Sequence, residues 1–151
     1  MLDLEAELDA VIAALTREGV EYAVCGGLAM AIHGKPRATI DIDLLIKPED
    51  EERVYAAVER LGFRFKAKPM HFAGGTMEIR RVTKIDSDGE ALMLDLLLVT
   101  PAYSHVWQSR QTVAWRKHLV SVVSREGLIA LKSSRSSAQD LADIERLGSD
   151  E

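Results

Sequence analysis

Residues 24–46 constrain the fold of this chain more than any other stretch. A short β-rich run, Glu21 to Cys25, ends in Gly26-Gly27. The small apolar residues Leu28-Ala29-Met30-Ala31-Ile32 follow and predict a short buried helix. The glycines therefore sit at a strand-to-helix turn, where two residues without Cβ let a phosphate approach the backbone and free N–H groups point at it. From Arg37 to Lys47 the pattern alternates, with Ile40, Ile42 and Leu44 on one face and Asp41 and Asp43 on the other. Such alternation predicts a strand. Carboxylates two residues apart on a strand share a face, with Cα atoms roughly 6.5 Å apart, and can serve a metal pair about 3.5–4 Å apart. Hard oxygen donors without His or Cys favour Mg²⁺ or Mn²⁺ over zinc.

Cys25-Gly26-Gly27 followed by Asp41-Ile42-Asp43-Leu44 resembles the signature of the nucleotidyltransferase superfamily, which includes DNA polymerase β, nucleotide-adding antibiotic-resistance enzymes and nucleotidyltransferase toxins. The added pattern Arg37-x-Thr39-x-Asp41-x-Asp43 looks most like the abortive-infection (type IV toxin–antitoxin) branch, and also like the lincosamide-modifying enzymes. This resemblance implies a third acidic residue on a later strand. Asp95 matches best, the one carboxylate in the apolar run Ala91 to Val99, where it shares a face with Met93, Leu97 and Val99. Leu128 to Arg135 with Asp140 and Asp143 resembles the family's C-terminal Lys…Arg…Asp segment, in which Lys132 would reach nucleotide phosphates. Ser134 stands there where Gly is common. Arg37, just before the Asp-x-Asp strand, is a further phosphate candidate.

The remaining pattern predicts supporting elements. Leu4, Leu8, Val11, Ile12 and Leu15 form a helical stripe ending at Gly19, and Pro48 opens a second helix closed by Gly62. Phe63 to Lys68 and Thr76 to Ile85 read as strands, and Asp86-Ser87-Asp88-Gly89 turns the chain into Ala91 to Val99. Pro101 to Gln108 is a short helix or turn, and residues 111–115 and 119–123 pair as a small hairpin. Two C-terminal helices follow, broken over Ser133 to Ser137, with Ser137 and Asp140 as a capping box. His33, Trp107 and Trp115 are expected to be packing residues.

With 151 residues, 47% hydrophobic and 28% charged, the chain is expected to form one domain over residues 1–151. The fold expected is α/β (α+β), a short mixed sheet flanked by helices, which the resemblance identifies as the nucleotidyltransferase fold. One cysteine, an acidic amphipathic start and no long apolar run predict a cytoplasmic protein with no membrane insertion. A net charge of −5 argues against a general nucleic-acid coat, but Arg60, Arg64, Lys66, Lys68, Arg80, Arg81 and Lys84 form a local basic excess that could receive RNA.

The resemblance thus implies a metal-dependent enzyme moving a nucleoside monophosphate from an NTP to an acceptor hydroxyl on tRNA or another RNA, a small molecule or a protein. It also admits a toxin–antitoxin component. Asp41, Asp43 and Asp95 would hold two Mg²⁺ (or Mn²⁺) ions, and Gly26, Gly27, Arg37 and Lys132 the nucleotide. The alternative is a non-catalytic nucleotide-binding or antitoxin module that keeps the fold.

Overall fold

The computed structural model of the chain describes residues 2–148; Met1 and residues 149–151, the ends of the expected single domain, lie outside the described residues. Helix α1, Leu4–Arg17, is capped by Asp3, whose carboxylate accepts from the N–H groups of Glu5 and Ala6. It buries Leu8, Val11 and Leu15. Gly19 (φ 69°) ends it: Val20 N–H donates to Leu15 C=O and Gly19 N–H to Thr16 C=O, a Schellman closure that needs a left-handed residue. Strand β1, Ala23–Cys25, then runs straight into the short helix α2, Gly26–Ile32.

Strand β2 is Asp41–Ile46, shorter than the alternation predicted. Residues 37–40 lie outside it, because the Arg37 side chain is drawn to Asp143, and Ile40 is 75% exposed. After helix α3, Glu51–Glu59, come β3, Phe63–Lys66, and β4, Met70–Phe72, a short strand that the sequence pattern did not reveal. The hairpin β5, Met77–Ile85, and β6, Ala91–Leu98, follows as expected. Helix α4, Ser104–Gln108, precedes a second hairpin, β7, Gln111–Trp115, and β8, His118–Val122. Helices α5, Arg125–Arg135, and α6, Ala138–Leu147, complete the chain.

The strands form one mixed sheet in the order β3-β5-β6-β2-β1-β8-β7, with β4 also on β5. Parallel pairings, β2 with β6 and β1 with β8, sit among antiparallel ones. Alternation sends Ile42, Leu44 and Ile46 with Leu92, Leu94, Leu96 and Leu98 to one face, covered by α1 and α3; Lys84 reaches Glu7 and Arg80 reaches Glu51 from that same face. Asp41, Asp43, Asp95 and Arg81 belong to the other face, over which α5 closes. Among the described residues no helix is long and apolar enough to cross a membrane.

The last two helices are tied down by buried charge. Lys132 is only 3% exposed and its Nζ lies 2.7 Å from Asp143 Oδ2. Arg37 grips the same carboxylate through Nε and Nη2, and Gln139 donates to it as well. Arg135 forks onto Asp140, which also closes the expected capping box with Ser137. Burial alone would raise the Asp140 carboxyl, but the bonds from Arg135 and Ser137 outweigh it and bring the pKa down to about 2. The predicted break at Ser133–Ser137 shrinks to its end: Lys132-Ser133-Ser134-Arg135 is helical, and only Ser136 turns left-handed (φ 53°). Ser134 needs no glycine-like freedom there; its hydroxyl donates to Ala130 C=O.

Removing one member of a buried ion pair strands the other, at about 3–5 kcal/mol. Asp143→Ala should therefore cost about that much in urea denaturation, since it leaves the buried Lys132 with only Asp140, 4.0 Å away. Lys132→Met should cost clearly less, because Asp143 keeps Arg37 and Gln139. Equal losses for the two variants would show that Asp143 is not the tie.

Candidate active site

Backbone register assembles the site. On β1, β2, β6 and β5 the partners run Cys25–Asp43, Asp43–Asp95 and Asp95–Arg81, one row across four strands. Asp41 lies two residues along β2 on the same face. Together with Gly26, Gly27, Thr39, Arg37 and Arg135, the row's charged members line one groove. The expected convergence of Asp41, Asp43 and Asp95 on one face is thus present. Neither Trp107 nor Trp115 lines that groove, and His33 is a packing residue whose Nε2 donates to Val123 C=O at 2.8 Å.

Crowding of like charge governs the carboxylates. Burial, then the neighbouring Asp95 and Asp41, push the Asp43 carboxyl up to about 7. Burial and Asp95 also raise Asp41, whose Oδ1 is buried without a hydrogen-bond partner. Asp95 is 4% exposed and is neutralised differently: Arg81 Nε donates to its Oδ1 at 2.8 Å and Nη2 to its Oδ2 at 2.9 Å. Burial pushes the Cys25 thiol well up, so the first member of the row is a packing residue and not a thiolate.

The glycines are explained first by this packing. A Cβ on Gly26, which has φ 66°, would stand 2.6 Å from Asp43 Cγ. One on Gly27 would meet Thr39 Oγ1 at 2.6 Å. The Cβ positions of the two glycines are thus taken by the chain's own Asp43 and Thr39, while Gly26 and Gly27 still line the groove. Arg37 and Lys132 also stand differently from the expectation that both face phosphates. Arg37 lines the groove while its guanidinium holds Asp143, and Lys132 is buried in that same pairing.

A divalent cation can be tested against these groups. The orphaned Asp41 Oδ1 and the crowded Asp43 carboxylate are hard oxygen donors, which suits Mg²⁺ or Mn²⁺. Among the described residues no three His, Cys, Asp or Glu side chains form a group that could hold a metal ion, and Asp95 is bound by Arg81.

Sequence reasoning placed Arg81 in a basic surface and gave Arg135 no role in the groove. The hairpin itself carried the signal for Arg81: Arg81 and Asp95 are both seven residues from Asp88 at the turn, so a tight hairpin must pair them. The residues of the expected RNA surface divide between several places, with Arg64 and Lys68 exposed. Arg80 and Lys84 point to the α1/α3 face and pair with Glu51 and Glu7, Lys66 sits over Tyr55, Arg60 pairs with Glu18, and Arg81 points to the groove.

A mixed sheet bearing paired carboxylates beside a Gly-Gly strand-to-helix turn defines the nucleotidyltransferase fold. The model of the aminoglycoside-2''-adenylyltransferase family matches residues 7–145, and the chain belongs to that family. The expected closeness to the abortive-infection branch finds no support in that match. Solved structures share the fold. The crystal structure of ANT(2")-Ia in complex with adenylyl-2"-tobramycin aligns with TM-score 0.62 and 18% identity, over 93% of this chain and 84% of that one. The lincosamide antibiotic adenylyltransferase LnuA, lincomycin-bound, aligns with TM-score 0.59 and 15% identity, over 96% of each. An antigenic nucleotidyltransferase-like protein from Paracoccidioides brasiliensis aligns with TM-score 0.54 and 19% identity, over 93% of this chain and 74% of that one. No curated protein sequence matches.

Two outcomes follow from the geometry. Gly26→Ala should cost about 1–2 kcal/mol from the left-handed backbone alone, and should also displace Asp43, lowering Mn²⁺ affinity at least tenfold by titration calorimetry. Wild-type affinity in that variant would mean that Gly26 does not position Asp43. The second concerns pH. A native Asp43 pKa near 7 against an ordinary 3.8 means that the folded protein binds the extra proton between those values, so metal-free stability falls as pH rises through that window. Asp43→Asn should flatten the fall in Tm between pH 4 and 7 and leave the variant more stable than wild type at pH 8. Parallel melting curves would contradict the assignment.

Proposed function

We propose that this chain transfers the nucleoside monophosphate of an NTP, ATP on the analogy of its family's name, to a hydroxyl of a small-molecule acceptor. The observation that carries this reading is the register pairing of Asp43 with Asp95, beside Asp41 and at the mouth of a groove that also holds arginines. Asp41 and Asp43 would hold Mg²⁺ or Mn²⁺. When bound, such an ion supplies charge neutralisation of the triphosphate.

The chain's own groups do the positioning. Backbone N–H groups of Gly26 and Gly27, with Arg37 and Arg135 at the groove wall, orient the phosphates; Lys132 serves through Asp143, which fixes Arg37. Asp95, held by Arg81, accepts a hydrogen bond from the acceptor hydroxyl and aligns its oxygen with the α-phosphorus. That oxygen forms the new P–O bond as the bond to pyrophosphate breaks in line, its proton passing to the Asp95 carboxylate and on to solvent. Alignment and charge neutralisation supply most of the catalysis in such transfers, so the side chains need no covalent role.

A small acceptor suits the basic residues better than RNA does, because they are spread over both sheet faces and several are already ion-paired. The tobramycin adduct of ANT(2")-Ia and the lincomycin of LnuA belong to those proteins, but they support a hydroxylated small molecule as the class to try first. The complete set of three aspartates speaks for an enzyme over a non-catalytic module, and no observation favours a toxin–antitoxin role.

The test is incubation with each α-labelled NTP, Mg²⁺ or Mn²⁺, and either hydroxylated antibiotics or total RNA. Label should pass to a small molecule with release of pyrophosphate, and Asp43→Asn should reduce the rate at least a thousandfold, about 4 kcal/mol of barrier. Transfer to RNA alone, or undiminished transfer by that variant, would overturn the reading.

A further inference from the structure

The groove's charges are not symmetric, and the asymmetry bears on how many metal ions it takes. Two cations would need Asp41, Asp43 and Asp95 all free to coordinate, with Asp43 and Asp95 sharing one ion. Asp41 meets this condition, having a buried oxygen with no partner. Asp95 does not. Both of its oxygens receive the Arg81 fork, at 2.8 and 2.9 Å. That pairing is built into the backbone, since Arg81 and Asp95 face each other across β5 and β6 in the same row as Asp43.

We propose that the site binds one divalent cation, at Asp41 and Asp43, and that the Arg81 guanidinium supplies beside Asp95 the positive charge a second ion would otherwise bring. The inference rests on the nucleotidyl-transfer reading and deepens it. A guanidinium is always charged and its planar fork matches a carboxylate, so it stays in place across the working pH range. Its two bonds use two of the roughly four lone-pair positions of the carboxylate. The rest stay available to an acceptor hydroxyl. A dication entering between Asp43 and Asp95 would have to displace this fork or sit against a fixed positive charge. Arg81 is thus a positioning residue. It orients Asp95 and excludes the second ion.

The experiment counts Mn²⁺ on the protein saturated with a non-hydrolysable ATP analogue, by equilibrium dialysis and by electron paramagnetic resonance. The resonance separates an isolated ion from a coupled pair about 3.5–4 Å apart. Wild type and Arg81→Lys should each hold one isolated ion. Arg81→Ala should hold two, with a coupled spectrum, and Asp95→Asn should still hold one. A coupled pair in wild type overturns the proposal while leaving nucleotidyl transfer standing. No bound Mn²⁺ with the analogue present overturns both. Should Arg81→Ala fail to fold, the wild-type spectrum decides alone.

Discussion

Two carboxylates side by side on neighbouring parallel strands repel each other, and the rest of the site is arranged around that repulsion. The pairing of β2 with β6 gives Asp43 and Asp95 no means of separating, because the register is fixed by six consecutive residues of each strand. Arg81 relieves Asp95 from one side. Asp43 has Gly26 pressed against it from the other, where a larger residue would push it out of line. Asp41 and Asp43 keep raised carboxyls, burial and the neighbouring carboxylates outweighing the arginines and the lysine nearby. A cation-bearing nucleotide is the ligand that the proposed function assigns to them.

The C-terminal hairpin of helices solves a second electrostatic problem. Lys132, Asp140 and Asp143 are buried almost completely, an arrangement that costs stability unless each charge is met. They meet one another and recruit Arg37 and Arg135, both from the groove wall. The same network that holds α5 and α6 on the sheet therefore fixes the reach and direction of two arginines. Asp143 does not line the groove itself and bears on it through Arg37.

The helices, the two hairpins and the three aspartates were legible because each follows from local pattern: stripes, alternation, turn residues and one carboxylate in an apolar run. Four matters were not. Thr39 and Asp43 fill the space beside Gly27 and Gly26, which needs the return of the chain through residues 37–43 and cannot be read from the turn alone. The burial of Lys132 depends on α6 packing back over α5, whereas a lysine near a helix end reads from sequence as a surface group. The basic stretch from Arg60 to Lys84 looked like one patch because a list of charges hides strand alternation, which sends Arg80 and Arg81 to opposite faces of the sheet. The strand β4 escaped notice because it is three residues long and edges the sheet.

The proposed function requires Asp41 and Asp43 to form a cation-dependent nucleotide site. Titration calorimetry of ATP into wild type and Asp41→Asn, each with Mn²⁺ and with chelator, tests it most directly. ATP should bind wild type only when Mn²⁺ is present, and should bind the folded Asp41→Asn variant at least tenfold more weakly. Equal ATP affinity with Mn²⁺ and with chelator, unchanged by the substitution, would contradict the account.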